Sequence, residues 1–464
     1  MIPDYIRPPL SIAGIWPSGP AYGVAEAPGA DRAAAVDLGW RDVFRDPRLQ
    51  ALIALALESN RDLRVAALNV EAARAQYQIQ RADMFPHIDA SASALNERIP
   101  AKLSTTGMSM ISRDYSIGLG FTSYELDVFG RVRSLEEQAL EQYFAQEETR
   151  TSVQITLVAE VANAYLTLLA DQELLQLTGD TLYSQQQSYE LTKLSYQQGV
   201  ANELDLRQAE TSVRTAETNL AQYTRQVAQD RNALSLLVGQ PLPESLEAGL
   251  AQERRLDDAA LLAGLPVGLP SQLLERRPDI RAAEHALKAA NANVGAARAA
   301  FFPSISLTAT DGTAGTSLSQ LFTGASRTWT FAPQIRVPIF EGGALEAGLD
   351  AAKVQKTIQV AQYEKAIQVA FREVADALAA RGTLGDQVRA QEALVDASAA
   401  RYRLSEMRFR SGVEGYLNTL DAQRTLYGSQ QTLIATRLSR LSNIVSLYKA
   451  LGGGWSEHTA QLER

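Results

Sequence analysis

The sequence contains no cysteine and only three histidines, His87, His285 and His458, which lie far apart along the chain. A chain without cysteine can form neither a disulfide nor a thiolate metal site, and it lacks a thiol nucleophile. A Ser-His-Asp spacing, a glycine-rich phosphate loop and a cluster of metal ligands are missing too, and the three glycines at 452–454 are typical of a helix stop. We therefore predict a protein that is not an enzyme and that uses no cofactor or metal.

Long apolar runs and clusters of basic residues are missing as well. The best apolar run, residues 51–57, is far shorter than the ~18–20 residues that a membrane-spanning helix needs. The first five residues lack the basic and then apolar pattern of a signal peptide, so the chain is either cytoplasmic or begins near a mature N-terminus. A formal net charge of -9, with no basic run, argues against a nucleic-acid partner.

The sequence does contain an internal duplication. Apolar residues make up 46% of the chain and charged residues 21%, which indicates a folded protein. Ten residues recur 217 positions later: Asp62, Arg64, Ala66, Ala72, Ala73, Arg81, Ala82, Phe85, Pro86 and Ile88. Further along, the offset becomes 213 for Glu160, Val161, Ala162, Ala164, Gly199, Leu204, Ala209, Leu220, Leu234 and Gly239. One register held for so long predicts two structural repeats.

Each repeat predicts the same order of elements: a helix that ends before Phe-Pro, a β-hairpin, a very long helix and a return helix. Repeat 1 (48–239) contains the helix 48–83, the hairpin 86–128, the long helix 132–197 and the return helix 203–238. Repeat 2 (271–452) contains the helix 271–300, the hairpin 303–340, the long helix 344–410 and the return helix 416–450. Residues 1–47 are predicted to be an extended N-terminal segment, 240–270 a linker and 453–464 a C-terminal tail.

The periodicity of each segment gives its type. Apolar residues alternate with polar ones from Ile88 to Ala94 and from Tyr115 to Phe121, which predicts strands with one apolar face. The Ser-, Thr- and Gly-rich segments 96–112 and 311–326 are predicted to be loops. Each long helix would measure about 100 Å at ~1.5 Å per residue. Steps of three and four residues along the first return helix predict a coiled-coil seam: Leu206, Ala209, Val213, Ala216, Leu220, Tyr223 and Val227.

Four strands in one chain are too few for a transmembrane barrel, since the smallest barrels have about eight. A sheet with one apolar face is stable in lipid only when it is closed, because open edges leave backbone groups unpaired. The pattern therefore favours a barrel shared between chains, with eight strands from two chains or twelve from three. The alternative is an ordinary soluble adaptor or coiled-coil scaffold whose strands pack on helices. The position of both hairpins between very long helices weighs against that alternative.

Several stretches carry a resemblance to a known family: residues 2–5 (IPDY), 60–70 (NRDLRVAALNV), 124–131 (YELDVFGR), 297–307 (ARAAFFPSISL), 363–368 (YEKAIQ), 420–424 (LDAQR) and 447–455 (LYKALGGGW). With them the chain resembles the TolC family of outer-membrane efflux proteins, and most of all the OprM-like lipoproteins of RND-type pumps. The resemblance implies a homotrimer with a twelve-stranded barrel in the outer-membrane lipid, a long α-helical barrel across the periplasm and a mixed equatorial belt.

The resemblance also implies a function and its partners. The chain would be the passive exit duct for drugs and other small molecules in a tripartite multidrug efflux pump, with a periplasmic adaptor protein and an inner-membrane RND transporter as partners. Two other functions stay open on the same fold, a type I secretion duct for proteins and a heavy-metal efflux duct. Soft metals favour methionine and cysteine, so five methionines and no cysteine give the metal duct little support.

The start of the chain departs from the lipoprotein branch. There an acylated cysteine lies a few residues before the Ile-Pro-Asp-Tyr stretch, whereas here Met1 begins the chain. We interpret this as a truncated or engineered start that lacks the lipid anchor. The barrel would still hold the protein in the outer membrane.

The resemblance further implies an iris-like gate at the periplasmic tip, where the helix hairpins converge. Leu417, Asp421 and Arg424 match the positions of the constriction residues in OprM-like proteins. In a trimer, a ring of Leu417 would form an apolar plug and a ring of Asp421 would favour cations. The hairpin tips expected to contact the adaptor are Gly199, Val200, Gly412 and Val413.

The hydrogen-bond lock of TolC itself does not carry over to this chain. Asp205 matches the first-hairpin aspartate of TolC, but Asn418 stands at its second aspartate. Phe409 stands at the locking tyrosine and Glu414 at the arginine. Phe409 cannot donate a hydrogen bond, so we predict that closure depends more on the packing of Leu417. In the simpler alternative, Asp421 is a solvated charge on a helix surface and Leu417 is a residue of the coiled-coil seam.

Overall fold

The computed structural model describes residues 1–9, 12–22, 35–105, 107–252 and 276–459, with 256, 261, 265–267 and 270 as isolated positions. Parts of the predicted N-terminal segment, linker, second-repeat helix start and C-terminal tail lie outside the described residues. The helices are α1 (Trp40–Val43), α2 (Pro47–Ser59), α3 (Arg61–Ala82), α4 (Arg131–Gln197), α5 (Glu203–Val238), α6 (Glu244–Gln252), α7 (Pro278–Ala299), α8 (Ala344–Arg410) and α9 (Tyr416–Ala450). The strands are β1 (Asp89–Ile99), β2 (Met110–Leu126), β3 (Ser304–Gly315) and β4 (Arg327–Arg336).

The chain divides into two compact units, and each is built from segments of both repeats. The first unit comprises Met1–Leu10, Asn69–Glu147 and Ala282–Glu364, and it contains all four strands. The second unit comprises Ser11–Leu68, Glu148–Arg281 and Lys365–Arg464, and it contains the larger part of the long helices α4 and α8 together with their return helices α5 and α9. The duplication therefore does not give one unit per repeat.

The strands of the first unit form one antiparallel sheet in the order β1-β2-β3-β4. Pairing continues from Asp89 opposite Gly120 to Ile99 opposite Met110, so the first turn spans only residues 100–109. The prediction that 96–112 is a loop is therefore wrong at both ends. The third strand likewise extends to Gly315 and shortens the predicted loop 311–326. Polar residues suit these strand ends because both faces of β1 are exposed in the single chain and the end of β3 is only half-buried.

The two faces of the sheet differ in chemistry, as the alternation predicts. Cross-strand partners place the apolar side chains together on one side, which we call the apolar face. Its members are Ala90, Ala92, Ala94, Tyr115, Ile117, Leu119, Phe121, Tyr124, Leu126, Ile305, Leu307, Ala309, Trp329, Phe331, Pro333 and Ile335. The opposite face, which we call the polar face, carries mostly serine, threonine and glycine, and Ser93 Oγ lies 2.7 Å from Ser116 Oγ there.

A β-bulge keeps β2 in phase. The register shifts between Phe121 and Tyr124, where Ser123 has a φ of 57° and its backbone N–H donates to Thr308 Oγ1 at 3.2 Å. The extra residue moves the apolar positions from odd numbers to even ones, so that Tyr124 faces Leu307 on the apolar face. The bulge therefore extends the apolar face by two further rows.

In the second unit, the predicted helix 48–83 is wrong in one respect, because it is broken into α2 and α3 at Asn60. Asn60 is extended, and its Oδ1 accepts a hydrogen bond from the Leu63 N–H at 2.9 Å, which makes it the N-cap of α3. Its Nδ2 also donates to the Leu237 carbonyl at 2.8 Å. Gly239 approaches so closely that a Cβ would lie 2.4 Å from the Ser59 carbonyl oxygen. The break therefore allows the end of α5 to approach the backbone.

The second repeat makes the equivalent contact with a charged residue. Arg277 lies 217 positions after Asn60, and its Nη1 donates at 2.9 Å to the Ala450 carbonyl, which lies 213 positions after Leu237. Arg277 is buried and also forms ion pairs with Asp279, at 2.8 Å, and with Glu373. The repeats therefore share this helix junction, although the side chain that makes it differs.

The core of the second unit is aromatic around the start of α2. Trp40, Phe44, Tyr165 and Tyr448 are fully buried, and the rings of Phe44 and Tyr448 meet edge to face at 5.9 Å. The Tyr165 hydroxyl donates to Asp46 Oδ2 at 2.5 Å, so the N-cap residue of α2 is held by a side chain of α4. These contacts bring together segments more than one hundred residues apart.

Helix α4 passes the length and composition test for a membrane span. An 18-residue window has a mean hydropathy of 1.5, and 61% of that window is buried inside the protein. The core helix of a soluble protein passes the same test, so the window by itself does not assign α4 to a membrane. Burial of Leu166 and Leu168 on α4 shows that much of its apolar surface packs against its own chain.

Two carboxyl groups meet between α4 and α5. Asp230 is 9% exposed, and its Oδ1 accepts a hydrogen bond from Gln226 Nε2 at 3.2 Å. Its buried Oδ2 gains a hydrogen-bond donor only when Asp171 is protonated. Burial raises the pKa of Asp171 to about 7, and the hydrogen bond with Asp230 and the repulsion between the two carboxyl groups act in the same direction.

Candidate functional site

The candidate site is the pair of turns at the ends of the two long helix hairpins, both in the second unit. The turn after α4 and the turn after α8 share one backbone conformation, with φ of +71° at both Gly199 and Gly412. In each, the glycine N–H donates three residues back and the next N–H donates five residues back, as in a Schellman motif. Glycine suits this position because a Cβ is strained at positive φ.

Each tip presents an apolar pair to solvent. Val200 is 81% exposed and Leu204 is 64% exposed on the first tip. Their repeat equivalents on the second tip, Val413 and Leu417, are 66% and 57% exposed. More than half of the Leu417 surface is therefore left uncovered by its own chain and can contact another molecule or another subunit.

The two tips differ in how they hold the return helix. On the first, Asn202 caps α5 by accepting a hydrogen bond from the Asp205 N–H at 2.9 Å. On the second, Gly415 has no side chain for a cap. There Glu414 accepts from Asn418 Nδ2 at 2.7 Å and from Arg408 Nε at 3.1 Å.

Phe409 belongs to a small core behind the second tip. Its ring lies 5.3 Å from that of Tyr416, and both pack with Ala209, Leu420 and Tyr189. Burial raises the pKa of Tyr416 from its ordinary value near 10 to about 12. The contacts of Phe409 in this core are therefore packing contacts of its ring.

Asp421 is paired within the chain. Its Oδ2 lies 2.5 Å from Arg401 Nη2, and both side chains are more than half exposed. Arg401 was not among the predicted residues, although Arg401 and Asp421 lie equally far from the turn at residue 411 and so face each other across an antiparallel hairpin. An exposed pair contributes little to stability, roughly 0–1 kcal/mol. Its effect is therefore on the charge of the site.

Arg424 reaches the first hairpin, where its Nη2 donates to Ser212 Oγ at 3.3 Å. The structure thus brings Arg424 and Asp421 onto α9 beside Leu417, whereas Asp205 lies at the first tip. The predicted residues that meet within one chain are those of the second hairpin. The sequence reasoning missed Tyr416, Leu420 and Arg401, of which Leu420 is signalled only by its four-residue spacing from Tyr416.

Comparison with known proteins agrees with this architecture. The family model described as outer membrane efflux protein matches residues 52–240 and again 269–453, which confirms the duplication. The antibiotic efflux pump outer membrane protein ArpC and the toluene efflux pump outer membrane protein TtgC, both of Pseudomonas putida, are each 55% identical over 99% of this chain and 94% of their own length.

A solved structure extends the likeness to the fold. The open state of the MtrE outer membrane channel of Neisseria gonorrhoeae is 41% identical, covers 99% of this chain and 100% of its own, and superposes with a TM-score of 0.88. The predicted fold class and the resemblance to the TolC family are therefore confirmed. The twofold match to the family model and 55% identity over nearly the whole length show that this chain belongs to the outer membrane efflux protein family, whose members are efflux channels of the outer membrane.

Proposed function

We propose that three copies of this chain form a passive exit duct of a tripartite efflux pump, with one shared β-barrel in the outer membrane and a tube of helices in the periplasm. The observation that carries the proposal is the four-stranded sheet. It has two unpaired edges, β1 and β4, and an exposed apolar face on which Trp329 is 74% and Ile335 65% exposed.

Such a sheet is not stable alone in either solvent. In lipid, the unpaired backbone groups of the two edges would cost several kcal/mol each, and in water the apolar face would promote association. Pairing β4 of one chain with β1 of the next removes both edges. Three chains then give twelve strands, an even number within the range of outer-membrane barrels.

The helical hairpins supply the gate of the proposed duct. Leu417 is exposed in the single chain, and threefold symmetry would place three copies of it around the axis. An apolar ring closes a narrow pore by excluding water, whereas Asp421 and Arg424 set the charge of the opening. Phe409, Asn418 and the first-hairpin Asp205 support the tips.

The partners of the proposed duct are a periplasmic adaptor and an inner-membrane RND transporter. The exposed tip residues Val200 and Val413, each next to its turn glycine, give the adaptor an apolar contact in two equivalent places. Transport needs no chemistry in the duct, since the pump supplies the energy. We propose small apolar and drug-like molecules as its cargo, as the relatives' names suggest.

Disulfide cross-linking tests the shared barrel directly, because the chain has no cysteine of its own. Ser93→Cys on β1 is combined in turn with cysteine at Thr328, Thr330, Ala332 or Gln334 on the same face of β4. In a shared barrel, one or more combinations should give a covalently closed trimer on oxidation, and the others should not react. If no combination cross-links chains and the protein runs as a monomer in detergent, the shared barrel is ruled out.

The control is a pair within one chain. Ser93→Cys with Ser116→Cys should form an internal disulfide without any change in chain number, because the two residues are direct cross-strand partners. Formation of this internal disulfide shows that oxidation is complete, whether or not cross-links form between chains. Single-channel recording of the trimer then tests whether it conducts.

A further inference from the structure

The charged residues of the apolar face all lie in the half of the sheet that is away from the helices. On β1 and β2 they are Arg98 and Arg113, and on β3 and β4 they are Asp311 and Arg327. Arg98 and Arg113 lie beyond the row of Ala94 and Tyr115, towards the turn 100–109. Arg327 lies in the last pair of β3 and β4, and Asp311 lies one pair earlier, opposite Trp329. The helix-side rows of the same face carry no charge among the described strand residues.

Cross-strand register places these residues on the same side as the apolar side chains. Arg98 is opposite Ile111, and Arg113 is opposite Asn96, whose Oδ1 accepts from the Tyr115 hydroxyl at 3.4 Å. Arg327 is opposite Thr313. We call Arg98, Arg113 and Arg327 the arginine belt.

The arginine belt keeps an excess of positive charge. Arg327 is paired with Asp311 through two contacts of 3.3 and 3.2 Å, and Arg98 donates to Ser109 Oγ at 3.3 Å. Arg113 is exposed and has no hydrogen-bond or ion-pair partner among the described residues. The apolar face therefore ends in a net charge of about +2 per chain, which becomes about +6 in a trimer.

The polar face carries the opposite charge at the same height. Glu97 and Asp114 lie there, opposite Ser112 and Leu95. On β1 and β2 the positive residues therefore lie on one side and the negative residues on the other, whereas on β3 Asp311 shares the apolar side with Arg327. Strand pairing does not require this segregation on β1 and β2, because each side would tolerate either sign at an exposed strand end. The segregation points to an anionic partner on the apolar side only.

We infer that the arginine belt binds the anionic phosphate headgroups of the lipid leaflet on the turn side of the barrel. The inference rests on the proposed shared barrel, in which the apolar face meets lipid. Acyl chains would lie on rows such as Leu119 and Phe331, and the headgroups would then meet arginines, which bind phosphate through two parallel N–H donors. A free anion would not contact the adjoining apolar rows, whereas a lipid would contact them with its acyl chains.

Native mass spectrometry of the detergent-purified trimer tests the arginine belt. The trimer is incubated with phosphatidylglycerol or phosphatidylcholine of identical acyl chains, and with inorganic phosphate alone. We expect phosphatidylglycerol to be retained several-fold more than phosphatidylcholine at low salt. The variant Arg98→Gln/Arg113→Gln/Arg327→Gln should lose this several-fold preference and retain the two lipids equally, with the retention of phosphatidylcholine unchanged.

The matched control removes charge from the other face at the same height, in Glu97→Gln/Asp114→Asn, and should leave the preference for phosphatidylglycerol intact. Equal retention of the two lipids by the wild type, or wild-type retention by the triple variant, overturns the arginine belt. Saturation of the trimer by inorganic phosphate at the concentration that displaces lipid would overturn the choice of a lipid headgroup.

Failure of the arginine belt can be distinguished from failure of the proposed duct. A triple variant that is trimeric and conducts but keeps its lipid preference refutes only the arginine belt, whereas a monomeric wild type refutes the shared barrel and the belt together. If the triple variant does not assemble, two other measurements test the arginine belt. They are the lipid retention of Arg113→Gln and the salt dependence of lipid retention by the wild type. Retention that is unchanged by raised salt contradicts an electrostatic headgroup site.

Discussion

Leu417→Ala is expected to open the duct without unfolding the chain. Full burial of a leucine side chain stabilises by roughly 1.5–3 kcal/mol. Leu417 leaves 57% of its surface exposed in the single chain, so closing a ring of three would contribute about 1–1.5 kcal/mol per leucine and about 3–4 kcal/mol per trimer. Removing that contribution shifts the ratio of closed to open channels by roughly two to three orders of magnitude, at tenfold for each ~1.4 kcal/mol.

The assay is single-channel recording in planar bilayers, with open probability as the readout. Leu204→Ala is the matched control, because Leu204 occupies the equivalent position on the first tip and is similarly exposed, at 64%. We expect frequent openings for Leu417→Ala and wild-type behaviour for Leu204→Ala. Equal open probabilities for the wild type and both variants would refute the leucine ring, and openings in both variants would place the constriction across both tips.

Three further predictions concern charge and stability. Arg401→Ala should change the free energy of unfolding by no more than about 1 kcal/mol, because its pair with Asp421 is exposed. It should raise the cation selectivity of the channel, which the reversal potential in a salt gradient measures, and Arg401→Ala/Asp421→Ala should abolish this gain. Arg277→Gln should destabilise the chain by about 2–4 kcal/mol, because it removes a buried charge from two carboxylates; an unchanged denaturant midpoint would contradict this. The free energy of unfolding of the wild type should fall by roughly 1–2 kcal/mol as pH rises from about 4 to about 7, because the folded chain keeps a proton on Asp171 that the unfolded chain has already lost. Asp171→Asn should remove this fall. Equal shifts of Tm between pH 5 and 8 for the wild type and the variant would disprove the proton shared with Asp230.

The fold was largely readable from the sequence because its signals are local. Alternation over Tyr115–Phe121 predicts a strand whatever the strand packs against, and Gly199 or Gly412 ends a long helical pattern through its backbone freedom alone. The predicted loop 96–112 is too long because its ends have no local signal of a strand. Its residues are polar, and only the pairing partner shows that such residues lie in strands.

The candidate site was readable only in part. Leu417 and Asp421 were found through resemblance, since a leucine and an aspartate on a helix have no distinguishing local signal. Arg401 and Tyr416 were missed, because the partner of a side chain across a hairpin depends on how the two helices rotate against each other. The spacing of both residues from the turn would have been the clue.

The sequence by itself determined the duplication, the order of helices and strands and the two chemically different faces of the sheet, because each follows from periodicity and from the backbone limits of proline and glycine. The tertiary structure decided the break at Asn60, the bulge at Ser123, the pairing of Asp421 and the gathering of arginines at one end of the apolar face. Each of these depends on which residues from distant parts of the chain meet, and contacts of that kind are set by register and packing, which no single stretch of sequence contains.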